Sequence, residues 1–74
     1  MINPNKEYGP ITGVVLSRDG VAGKFIIEGA NRCFDGWDLP KRFKEGDKVT
    51  FRIQFYITCD SFKVISETVR KKAK

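Results

Sequence analysis

One stretch constrains this chain more than any other: residues 47–58, DKVTFRIQFYIT. Val49, Phe51, Ile53, Phe55 and Ile57 alternate with Lys48, Thr50, Arg52, Gln54, Tyr56 and Thr58. Successive side chains of a strand point to opposite faces. The period-two pattern therefore predicts a long strand with one face in a core and the other in water.

Four more strands are predicted around it. Residues 11–18 (ITGVVLSR) are rich in β-branched side chains, 24–28 (KFIIE) form a short run, 32–37 (RCFDGW) contain a glycine expected to weaken or bulge the strand, and 62–69 (FKVISETV) alternate loosely. Asp19-Gly20, residues 29–31 and residues 59–61 supply the turns between them. Residues 38–46 (DLPKRFKEG) carry the helical signal: Asp38 as cap, Leu39 and Phe43 one turn apart, Gly46 as terminator.

A chain of 74 residues buries only about 60% of the surface its unfolded form exposes. Five short strands hide their edges at this size by curling into a small barrel. The expected fold is all-β: a five-stranded Greek-key OB-type barrel with a short helical connector between strands three and four. An SH3-like barrel is the competitor, and the long fourth strand and the connector favour the OB type. The organisation expected is an extended arm over 1–10, the barrel over 11–69 and a basic tail over 70–74.

Composition narrows the chemistry. The chain has no histidine, so imidazole-activated nucleophiles, proton shuttles and imidazole metal ligands are excluded. Cys33 and Cys59 are too few for a zinc site and are expected as small buried thiols. Asp35 and Asp38 form only a turn-region carboxylate pair, so no enzyme, metal or cofactor is expected. No apolar run exceeds three residues and no export signal is seen, which makes a membrane span unexpected and a cytoplasmic location the expectation. The net charge of +5 is concentrated at the end: Arg70, Lys71, Lys72 and Lys74 supply +4, and residues 1–69 carry ten basic against nine acidic groups. Such a tail suits nucleic acid or an acidic partner, or is a solvated terminus.

The stretches ITGVVL (11–16), VAGKFI (21–26), CFDGW (33–37) and LPKRFKEGDKVTFRI (39–53) together resemble the cold-shock domain and, more loosely, the OB domain of bacterial translation initiation factor one. The resemblance spans residues 9–69. VAGKFI and CFDGW stand where the family carries its two ribonucleoprotein motifs. By that resemblance Phe25, Phe34 and Trp37 take places in a platform that stacks single-stranded bases, while Gly23 and Gly36 stand where the family has a Phe and a His. The stacking logic is general, because a ring on an exposed strand face packs on any base.

The residues themselves leave alternatives. Phe25 and Ile26 offer two parities between which alternation does not decide. Phe34 is expected to face outward opposite a buried Cys33, and Trp37 to cap the barrel or present a face. Arg18, Lys24 and Arg52 are the expected phosphate contacts, with Tyr56 beside them on the polar face of strand four. The expectation is thus a non-catalytic module binding single-stranded RNA or DNA. The alternative is a protein-interaction or structural OB module that uses the same aromatics as interface anchors.

Overall fold

The computed structural model describes residues 6–19 and 23–72. Six strands run in the order β1 (Glu7–Arg18), β2 (Phe25–Gly29), β3 (Arg32–Gly36), β4 (Lys48–Tyr56), β5 (Ser61–Val64) and β6 (Arg70–Lys71), with a 3-10 turn at Ser66–Thr68. The hydrogen-bonded order β1-β2-β3-β5-β4 closes on itself because β1 also pairs with β4. The chain is a closed five-stranded β-barrel, with β6 an additional short partner of β4. All pairings are antiparallel except β3 with β5, which meet in parallel at Asp35 and Lys63. This closed arrangement is compatible with an OB-type barrel.

Closure depends on β1 serving two ladders. Its first part pairs with β4 and its second with β2, and Gly13 and Val14 belong to both. Glycine is needed here for close approach: a Cβ at Gly13 would run into the carbonyl oxygen of Glu28, and one at Gly29 would lie 2.8 Å from the Thr12 oxygen. Register shifts between Tyr8 and Ile11 and between Val15 and Ser17 bend the strand around the barrel. Glu7–Pro10, read from the sequence as part of an arm, belong to β1, and the register slips at Pro10, which has no N–H to give to a ladder.

The predicted alternation is realised in β4 and stops at Tyr56: Ile57, expected on the core face, lies in the following turn and is 70% exposed. Val49, Phe51 and Ile53 are buried, and Lys48, Thr50, Arg52 and Gln54 stay outside. Val15, Phe25, Ile27, Phe34, Leu39, Phe43, Val64 and Val69 complete the interior with them. At one end Tyr8, Phe55 and Phe62 pack edge to face, with centroids 5.7 Å (Tyr8–Phe62) and 5.3 Å (Phe55–Phe62) apart.

Four sequence expectations are corrected. The connector 38–46 holds turns and no helix. A helix would need the Leu39 and Pro40 carbonyls for the N–H groups one turn on. Both accept from the Arg18 guanidinium at 3.0 Å, and the Pro40 carbonyl closes only a tight turn with the Phe43 N–H at 3.2 Å; the Phe43 carbonyl also accepts from Arg18, and the Lys44 N–H donates to the Asp47 carboxylate at 2.8 Å. The last predicted strand breaks after Val64 into the 3-10 turn, whose Thr68 hydroxyl accepts from the Arg52 N–H at 2.9 Å. Cys33 and Cys59 are both exposed, not buried. Gly36 causes no bulge and pairs in register with Phe25. The arm's residues 1–5, the turn and motif residues 20–22 and the tail's last two residues lie outside the described ones.

Candidate functional site

The parity of β3 decides which side chains reach the outer wall. Gly36 lies inside, so Phe34 does too, and Cys33, Asp35 and Trp37 project outward. Gly36 is required there because a Cβ would stand 2.8 Å from the Phe25 ring and 2.9 Å from the Val64 carbonyl. Gly36 thus makes room for an inward Phe25, and Trp37, one residue on at the strand's end, is 44% exposed.

Trp37 leans over β5 toward β4. Its ring lies 6.0 Å from that of Tyr56 with the planes tilted by 34°. Lys63, outward on β5 between buried Val64 and half-buried Phe62, places its ammonium 5.8 Å from the Trp37 centroid. The same Nζ donates to both Asp35 oxygens at 2.8 and 3.0 Å. Trp37 forms a wall shared by two shallow depressions. One, of about 250 Å³, is bounded by Asp38, Tyr56, Ser66 and Glu67; the other, of about 190 Å³, by Lys24, Asp35, Cys59 and Lys63. Two rings and an ammonium thus stand in one place on the outer wall.

Of the expected platform the structure retains one member. Phe25 is 1% exposed and Phe34 5%, both in the core, so neither offers a face to a ligand. Phe34 instead packs on Phe51 at 5.9 Å. Arg18, expected to meet phosphate, spends its guanidinium on three connector carbonyls. Arg52 is partly exposed and pairs with Glu7 at 3.4 Å. Lys24 is exposed and lines the depression beside Trp37. Tyr56 stands at Trp37's side as described. The structure therefore groups Trp37, Tyr56 and Lys24, sets Arg52 farther down the same strand as Tyr56, and removes Phe25, Phe34 and Arg18 from the surface chemistry.

Lys63 is the member that sequence reading missed. Its signal was present in FKVI, where two apolar residues flank a lysine and force it outward. The exposed apolar side chains Leu16 and Ile26 lie on the β1–β2 wall, Leu16 as the extra residue of a bulge whose next residue, Ser17, pairs with Ile26. The charge around Trp37 is mixed: Lys24 and Lys63 face Asp35, Asp38 and Glu67. Among the described residues no group of three or more Cys, Asp or Glu side chains could hold a metal ion, and no helix is long and apolar enough to cross a membrane.

Comparison of the chain with protein-family models, with curated proteins and with solved structures gives no match.

Proposed function

We propose that this chain is a non-catalytic module that binds single-stranded RNA or DNA on an OB-type Greek-key barrel. The observation that carries the reading is the Trp37–Tyr56 pair, two adjacent rings on the outer wall with the Lys63 ammonium beside them. In support, OB barrels use the strand 2–3 face and the loop between strands four and five for oligonucleotides. Trp37 follows β3 and Cys59 of the β4–β5 turn lines the same depression.

Magnitudes set what such a seat delivers. One or two stacked bases contribute about 1–3 kcal/mol each, short of the roughly 8 kcal/mol of micromolar binding. With carboxylates among the lysines, binding by the isolated seat is weak, tolerant of sequence and sensitive to salt. Trp37 is the chain's single tryptophan, so its fluorescence reports the seat directly. Titration with oligothymidylate or oligouridylate at low salt is expected to quench it. Unchanged emission at millimolar oligonucleotide would refute the reading.

A second reading, protein docking, is favoured by Leu16 at 45% and Ile26 at 39% exposure. They form an apolar spot on the β1–β2 wall. A stable oligomer abolished by Ile26→Lys, with no oligonucleotide response, would establish it in place of the first.

A further inference from the structure

The first three residues of the basic tail, Arg70, Lys71 and Lys72, are paired with β4. In β6, Arg70 pairs with Thr50 and Lys71 with Val49, and the Lys72 N–H donates to the Lys48 carbonyl at 3.0 Å. Continuing that register sets Lys72 opposite Lys48. Alternation on β4 puts Val49 inside and Lys48, Thr50, Arg52, Gln54 and Tyr56 outside. Arg70, opposite Thr50, and Lys72, opposite Lys48, consequently share the outer face with the Tyr56 ring. Down that face from the Trp37–Tyr56 seat come Arg52, then Arg70, then Lys48 with Lys72.

The cations at the far end are available. Among the described residues neither Lys48 nor Lys72 has a carboxylate within ion-pair distance, and both are exposed. Asp47 lines the same depression as Lys48, Lys71 and Lys72, but its carboxylate is bonded by the Lys44 N–H at 2.8 Å and lies 3.8 Å from Lys71. Two positive side chains held side by side by a strand pairing, in a depression where three lysines face one carboxylate, form a site for an anion. A terminus that only kept the protein soluble would have no need of the ladder. The opposing charges along the way are Glu7, paired with Arg52 at 3.4 Å, and Glu67 in the 3-10 turn, whose backbone carbonyl holds the Arg70 guanidinium at 2.6 Å.

Length then favours a polymer. The eight residue steps from Lys48 to Tyr56 at about 3.3 Å each span about 26 Å, close to eight nucleotides of a stacked strand at ~3.4 Å per phosphate. We infer that a single strand bound at the ring seat continues lengthwise along the outer face of β4, with its backbone on Arg52, Arg70, Lys48 and Lys72. This rests on the nucleic-acid reading of the ring seat and adds the path of the strand and the role of β6.

The test compares thymidine trinucleotide with octanucleotide by Trp37 quenching at several salt concentrations, in the wild type and in the Lys48→Gln/Lys72→Gln double variant. The wild type is expected to bind the octamer at least tenfold more tightly than the trimer. In the double variant the octamer-to-trimer ratio is expected to fall toward one, and the salt slope for the octamer to drop by about 1.4, at ~0.7 per phosphate contact. Thermal melting of the double variant checks that the barrel is intact. An octamer no tighter than the trimer, or an unchanged ratio in a folded double variant, overturns the lengthwise path while trimer quenching leaves the ring seat standing. Absence of quenching by both oligonucleotides removes the ring seat and the path together.

Discussion

Asp35 and Lys63 meet at the one parallel contact of the barrel, where β3 runs beside β5, with the lysine Nζ 2.8 and 3.0 Å from the two carboxylate oxygens. The pair fixes the ammonium beside Trp37 and also occupies it. Asp35→Asn keeps the side chain's shape, removes one negative charge and releases Lys63. An exposed ion pair is worth up to about 1 kcal/mol, so affinity for octathymidylate is expected to rise about 2–5-fold at low salt, read by anisotropy of a labelled oligonucleotide. A fall in affinity would contradict a phosphate-facing role for Lys63.

Trp37→Ala separates binding from folding. The ring is 44% exposed, so urea unfolding is expected to change by no more than about 1 kcal/mol, as for a surface substitution. Loss of one stacked base costs about 1–3 kcal/mol, roughly 5- to 150-fold in Kd. Anisotropy of a labelled oligonucleotide is the suitable readout, because the variant has no tryptophan.

Phe25→Ala and Phe34→Ala should act on stability. Truncating a buried Phe costs about 3–5 kcal/mol, a large share of the total stability of a domain this small. Urea denaturation of each variant is expected to show that loss. A folded variant of normal stability that has lost oligonucleotide binding would return these rings to the platform.

These two residues also mark where the sequence was legible and where it was not. In β4 one parity is wholly apolar and the other polar, so the buried face could be read directly. In KFIIE apolar residues stand at both parities, and Phe25 goes inside because Gly36, its register partner on β3, leaves space for the ring. Cys33 and Phe34 were read the wrong way round for the same reason. A small thiol passes for the interior member of a pair until the neighbouring glycine sets the phase. The seat was legible only in Trp37, Tyr56 and Lys24.

The connector was illegible for a different reason: its partner is remote in sequence. Arg18, more than twenty residues upstream, takes three carbonyls of the segment 39–43 and holds it as turns over the buried Leu39 and Phe43. Arg18→Lys keeps the charge and loses the planar fork that reaches several acceptors. It is expected to lower stability by about 1–3 kcal/mol, the cost of leaving partly buried polar groups unpaired. Thermal melting checks it, and an unchanged Tm would show that the connector holds without the guanidinium.

Gly36→Ala probes the packing that turns Trp37 outward. The added Cβ would stand 2.8 Å from the Phe25 ring and 2.9 Å from a backbone oxygen that has little freedom to move. Overpacking of this kind costs about 1–3 kcal/mol, measurable by urea unfolding. Phe25→Leu in the same chain should recover part of the loss, since the smaller side chain vacates the space.

The most direct test of the central claim, that bases seat on Trp37 beside Tyr56, is a two-dimensional NMR titration of the labelled protein with octathymidylate at low salt. The single indole N–H signal and the amides of residues 35–37, 54–56 and 63–67 are expected to shift together and saturably. An indole signal that stays in place while the amides around Leu16 and Ile26 move, or no saturable shift anywhere, would contradict it.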